Sequence, residues 1–168
     1  MSAYFVDRRG YRRFRRRQWP KLTVVCHTTT HLLAAAVVTR GPSQDSPQFA
    51  AALIQACRHL AIARLLGDAG YDGEHNHTLA RQRLGIRATV IALNRRNTGR
   101  QGPKTRYRRQ MKQRFACRKY RQRWQIESAI SRHKRRLGAA LRSRTAQAQQ
   151  RECWLRVLTH NVMLLKHG

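Results

Sequence analysis

Residues 22–30 are dense in β-branched side chains (Thr23, Val24, Val25, Thr28, Thr29, Thr30). Such side chains suit a pleated, half-buried surface and predict a strand. A second apolar stretch over 32–39, closed by Gly41-Pro42, predicts another strand, close enough to the first to form an antiparallel pair. Ser46-Pro47 then starts a helix, with Ser46 as N-cap and Pro47 in the first turn, and Phe49, Leu53, Ile54 and Cys57 supply its apolar stripe. A short buried strand over 61–66 runs into Gly67-Asp68-Ala69-Gly70-Tyr71-Asp72-Gly73. A helix over 76–84 follows, stopped by Gly85, then a strand over 88–93 and a basic loop over 94–103. Helices are predicted over 105–118, 120–141 and 147–166. The order is that of an α/β domain with an antiparallel start and a parallel continuation.

Composition narrows what such a domain does. Across 168 residues, 36 Lys and Arg face 7 Asp and Glu, a net charge of +29. A field of that sign favours polyanions, and the predominance of Arg, whose planar fork matches phosphate oxygens, favours nucleic acid. Apolar residues at 41% exclude a disordered tail, and the longest apolar run, 32–38, is too short to span a bilayer. The chain is therefore expected in the cytoplasm, associated with the nucleoid. Cys26, Cys57, Cys117 and Cys153 form no CxxC pair and read as small core residues of a reducing cytosol. Residues 1–20 form a basic arm, with seven arginines from Arg8 to Arg17 interleaved with Tyr11 and Phe14 and followed by Trp19. It reads either as a disordered phosphate-binding arm with aromatics for stacking or as a surface strand or loop.

Two places carry candidate chemistry. Asp68 follows a short strand at its C-terminal end, where open α/β sheets place ligand-handling groups, although an Asp-Ala-Gly turn alone has the same look. Tyr120, Arg123, Glu127 and Lys134, if helical, fall within about 60° of one another around the axis, beside an apolar stripe of Ile126, Ile130 and Leu137. Glu127 is the only acid between Glu74 and Glu152, and by position it is equally suited to an ion pair with Arg123 or Lys134. His75 and His77 beside Glu74 read as surface histidines rather than a zinc site. Cys26-His27 is no nucleophile pair, because neighbours in a strand point to opposite faces.

Tyr120-x2-Arg123-x3-Glu127-x6-Lys134 resembles, at every gap, the tyrosine–arginine–glutamate–lysine signature of insertion-sequence DDE transposases. Asp68-Ala-Gly-Tyr-Asp-Gly resembles the segment of that family that carries its second catalytic aspartate, and Trp19-Pro20-Lys21-Leu-Thr-Val-Val-Cys resembles the strand that follows its first. The resemblance implies a ribonuclease-H-like mixed sheet flanked by helices, with a helical C-terminal part. It further implies metal-dependent cleavage and transfer of DNA strands during transposition, with Mg2+ or Mn2+ as cofactor, a hard ion suited to carboxylates. Asp68 and Glu127 would be catalytic metal ligands, Tyr120, Arg123 and Lys134 would bind DNA, and the protein would work as a homo-oligomer on transposon ends.

The family's first aspartate has no matching segment here, although Ala3-Tyr4-Phe5-Val6-Asp7 has the look of a short strand ending in an acid and leaves Asp7 open as its replacement. Asp45 lies in a turn, and Asp7 precedes Arg8-Arg9, which would compete with a metal for its carboxylate. The expectation is an N-terminally truncated catalytic domain over 21–168 that lacks its first strand, is incomplete as a metal site, and retains DNA binding better than catalysis. The alternatives are a non-catalytic basic nucleic-acid-binding protein and a transposase remnant that acts as an inhibitor.

Overall fold

The computed structural model describes residues 4–6, 12–14, 19–41, 46–94, 96 and 101–166. Asp7, Asp45, most of the arginine-rich segment and part of the basic loop after Asn94 lie outside the described residues. Within the arm, β1 (Tyr4–Val6) pairs antiparallel with β2 (Arg12–Phe14), so at least part of it is strand.

The predicted antiparallel pair is present as β3 (Trp19–Cys26) and β4 (Leu33–Gly41), with ends one to four residues from those expected and a register irregularity at Val25/Cys26. α1 (Ser46–Cys57) starts where the Ser-Pro signal places it and buries Phe49, Ala52, Leu53 and Ala56. Ile54, expected on this stripe, is exposed, because five residues from Phe49 it lies about 140° around the helix. β5 (Arg64–Gly67) pairs in parallel with β6 (Ala88–Ile91), which gives the parallel continuation. Between them, α2 (Glu74–Thr78) runs directly into a π-helical turn over Leu79–Arg83. Gly85, at φ +69°, ends it, and Ile86 N–H donates back to the Ala80 carbonyl. Phe49, Leu53, Ala80, Ile86 and Ile91 form the core where α1 packs on this unit.

The mixed α/β character is thus present, but among the described residues the strands pair only in twos, as three separate two-stranded sheets. α1 packs against both β3 and β4, and α6 (Ala146–Leu165) packs against the same pair. Asn161 of α6 accepts from Leu33 N–H (2.9 Å) and donates to the Leu33 carbonyl (3.0 Å), closing that point of β4 as a neighbouring strand would.

The single helix expected over 105–118 is instead α3 (Arg106–Gln113), and α4 (Cys117–Tyr120) follows it. The helix expected over 120–141 is divided. Tyr120 closes α4, a 3-10 turn covers Arg121–Arg123, and α5 runs Trp124–Leu137 until Gly138 at φ +86° stops it. On α5 the fully buried positions are Ala129 and His133 rather than Ile126, Ile130 and Leu137, which stay half-buried. The small Ala129 permits close approach, and His133 packs on His160 of α6 with ring centroids 5.6 Å apart. Of the cysteines, Cys153 is buried, Cys26 and Cys57 are half-buried, and Cys117 is exposed, contrary to the expectation that all four serve the core.

Candidate active site

Asp68 stands at the C-terminal end of β5, in a position set by its neighbour. A Cβ on Gly67 would sit 3.0 Å from Ile91 Cγ1, so glycine lets β5 close tightly on β6 just before the carboxylate. Asp68 caps the 3-10 turn Ala69–Tyr71 and accepts from Ala69 N–H through Oδ1 at 2.7 Å. It is otherwise exposed, with its second oxygen turned to no described partner.

Asp72, four residues on, has the opposite surroundings. Its side chain is 0% exposed; its oxygens accept from Arg108 Nε (2.9 Å) and an Arg108 terminal nitrogen (2.8 Å), and from Asn94 N–H (2.8 Å). The Asp72 hydrogen bond holds the Arg108 guanidinium above its ordinary pKa. Glu74 acts beside it. Thr105 makes no side-chain cap on α3, and the third helical position, where a capping box needs an acid, is Arg108. Glu74 fills that gap from a distance by accepting from Tyr107 and Arg108 N–H (2.9 and 3.1 Å). Burial works to raise the Glu74 carboxyl, but these amide donors and the Thr105 hydroxyl outweigh it, and the net shift is downward. Asp72 and Glu74 are therefore structural carboxylates.

Glu127 lies on α5, exposed (61%), with Oε1 2.7 Å from the Arg123 guanidinium one turn earlier. This is the ion pair that the spacing allowed. Exposed i,i+4 pairs contribute only about 0.3–0.5 kcal/mol, so Glu127 can exchange this partner for another cation at little cost. Arg123 also reaches back to Tyr120, 5.9 Å from its ring centroid, and Phe115 packs against the same ring with centroids 4.9 Å apart. Burial raises the Tyr120 phenol above its ordinary pKa. The Arg123 charge opposes this, and the charges of both Asp68 and Glu127 add to it. Both carboxylates thus lie within electrostatic reach of one phenol. Lys134 shares with Glu127 the lining of a cleft of about 600 Å³ between β3 and α5, to which Tyr71 also contributes.

Arg123 joins Glu127 to the neighbourhood of Tyr120, Asp68 is within electrostatic reach of the same phenol, and Lys134 stands farther along the helix that carries Glu127. As hard oxygen donors, exposed and weakly held, Asp68 and Glu127 suit a divalent ion. Among the described residues no group of three or more His, Cys, Asp or Glu is placed to hold one.

The sequence comparison now decides the family. Residues 5–162 match the transposase DDE domain. The chain belongs to that transposase family. No curated protein and no solved structure matches it. Transposition is thus the role at family level, DNA is the partner the family implies, and a divalent metal is its usual cofactor. No helix among the described residues of this transposase is long and apolar enough to cross a membrane.

The histidines corrected one reading and the cysteines supported another. His77, read as a surface residue, is fully buried; its Nδ1 lies 2.7 Å from Thr89 Oγ1 and its ring stacks on Tyr107. The inward face of α2 carries Asn76 and His77, a pairing that no apolar periodicity reveals. Burial pushes the Cys26 thiol up to about 11, so it is not an activated nucleophile beside His27. The Asp72–Glu74–Arg108 cluster escaped the sequence reading altogether. Its one local sign is the missing acid at the third position of α3.

Proposed function

We propose that this transposase is of the tyrosine–arginine–glutamate–lysine type. In this reading residues 21–168 form a ribonuclease-H-like catalytic domain, preceded by a basic arm over 1–20, and Asp68 and Glu127 hold Mg2+ or Mn2+ on a DNA-binding surface. The observation that carries this reading is that α4, which ends at Tyr120 seven residues before Glu127, packs on β6, the strand paired with the one that leads into Asp68, so the two carboxylates come from adjoining elements. The sorting of the two aspartates supports it as well: Asp72 is fully engaged with Arg108, whereas Asp68 keeps an oxygen available.

The bound ion would supply charge neutralisation at the scissile phosphate and a more acidic attacking oxygen. The chain's own residues do the rest. Arg123 holds the Glu127 carboxylate in place until an ion or a phosphate takes over the pairing. Tyr120, protonated at neutral pH as a phenol ordinarily is, donates its O–H to a phosphate oxygen. Lys134, two turns from Glu127 and about 10 Å along the axis, grips the backbone beyond the cleaved bond. Orientation of the phosphate between these groups is their main contribution to rate.

A second reading, a DNA-binding protein without catalysis, is favoured by the absence of a three-ligand group among the described residues. Manganese titration followed by electron paramagnetic resonance separates the two. Asp68→Asn and Glu127→Gln should each weaken Mn2+ binding about tenfold or more, since each removes one ligand charge. Neither should impair DNA binding. Equal Mn2+ affinity in all three proteins would favour the non-catalytic binder.

A further inference from the structure

Two histidines meet in the interior where α5 packs on α6. His133 is 7% exposed and His160 2%, and their ring centroids are 5.6 Å apart. His160 Nε2 lies 3.2 Å from the His31 carbonyl, which can only accept, so in the neutral ring that nitrogen carries the proton. His133 Nε2 is buried with no hydrogen-bond partner among the described residues. A neutral ring can leave a bare acceptor there. An imidazolium carries N–H at both nitrogens, and the buried donor at Nε2 would then find no acceptor. His31 continues the chain of contacts. It is a non-glycine residue at φ +61° in the turn between β3 and β4, a conformation that persists only where its surroundings hold it. Its amide donates to the His27 carbonyl (2.9 Å), and its Nε2 lies 2.6 Å from Gln125 Oε1 on the first turn of α5. α5 is thus tied through histidines at its first turn and again at His133.

The charged and titratable groups around the pair are Arg132, Lys134, Arg136 and Glu127 on α5, Arg156 and Cys153 on α6, Lys21 on β3, and His31 in the turn. Glu127 is paired with Arg123, so cations dominate and oppose a further positive charge. Burial first, and these charges after it, hold both rings below the ordinary histidine pKa. The end of α5 is fixed differently, by Arg156 donating to the Gly138 carbonyl (2.7 Å) and to Glu152. The amides of Ser143 and Arg142 hold the Glu152 carboxyl down to about 2, so this tie does not titrate near neutrality. We propose that His31, His133 and His160 form a proton-operated brace: with the pair neutral, α5 is fixed on α6 and on the β3–β4 turn, and a proton taken up by either buried ring frees the helix that carries Glu127. The freed form regains the ordinary histidine pKa of about 6.5, so it binds protons that the braced form refuses and gains on it as pH falls through that value. Displacement of Glu127 is the consequence for the proposed ion site and rests on that assignment, whereas the release of α5 does not.

The test follows amide hydrogen exchange of the full chain, without metal or DNA, at about pH 7.5 and about pH 5.5, with the intrinsic exchange rates divided out. Between these values the opening constant of the α5 amides from Ile130 to Lys134 should rise by about tenfold for each ring that titrates. His133→Leu, and His160→Gln, which keeps a donor for the His31 carbonyl, should each diminish that response, and the two together should abolish it. Titration of the imidazole signals by nuclear magnetic resonance in the unaltered protein covers the case in which a variant fails to fold. Two rings should protonate below the ordinary range, in step with the opening of the α5 amides. The proposal is overturned if those amides open equally at both pH values, if the response survives in the double variant, or if both rings titrate at the ordinary pKa while α5 stays protected. A chain that shows the expected exchange yet binds no Mn2+ would refute the ion assignment and leave the brace standing, so the two failures are distinguishable.

Discussion

Affinity for duplex DNA is expected to fall by roughly a thousandfold or more between about 50 and 200 mM salt, the loss typical of a protein that neutralises about six to ten phosphates. The reason is counterion release, and the proposed contact surface is the basic segment around Glu127. Arg118, Lys119, Arg121, Lys134, Arg135 and Arg136 are all exposed on the segment that carries Glu127, and only Glu127 opposes them there. Fluorescence anisotropy of a labelled duplex over a salt series measures the slope of log K against log salt, about 0.9 per phosphate neutralised. Lys134→Ala should reduce that slope by about one unit of contact and weaken binding to all sequences alike. A flat salt dependence would mean that the +29 charge is not what brings the chain to its partner.

Asp72→Ala is expected to cost about 3–5 kcal/mol, the usual consequence of removing one partner of a buried ion pair. The side chain is 0% exposed, Arg108 is 15% exposed, and alanine leaves the guanidinium without its two-bond partner and Asn94 N–H without an acceptor. Against a total stability of about 5–15 kcal/mol for a domain, this is a large share. Urea unfolding followed by circular dichroism gives the value, and the double variant Asp72→Leu, Arg108→Met should recover much of it, because no charge is then stranded. Asp68→Ala, at an exposed cap, should cost only about 1 kcal/mol. If the two aspartates proved equally costly, the division between a structural Asp72 and an available Asp68 would be wrong.

That division also marks the boundary of what the chain discloses. Elements with a local signal were legible within a few residues: β4 from its apolar run closed by Gly41-Pro42, α1 from Ser46-Pro47, α6 from its start after Thr145 to its end at Leu165. The segment from Tyr120 to Lys134 was read as part of one continuous helix, and it is divided instead. A 3-10 turn over Arg121–Arg123 has no mark in helix propensity, since its residues are good helix formers held in a tighter winding. The buried face of α5 was misjudged because Ala129 and His133 are weakly apolar; α6 decides their burial by bringing His160 against His133. Asp72 and Glu74 find their partners 22 to 36 residues away, where no spacing rule reaches. Ile126 and Ile130, legible as a core stripe, are half-buried along the cleft beside β3.

The central claim, a divalent ion held between Asp68 and Glu127, is tested most directly by replacing Mg2+ with Fe2+ and generating hydroxyl radicals at the bound ion. Radicals act within a short distance, so the backbone cuts map the site. The account predicts cuts around Asp68–Tyr71 and around Tyr120–Glu127, suppressed by excess Mg2+ and lost in Asp68→Asn and in Glu127→Gln. Cuts elsewhere in the chain, or the same cuts persisting in both variants, would contradict it.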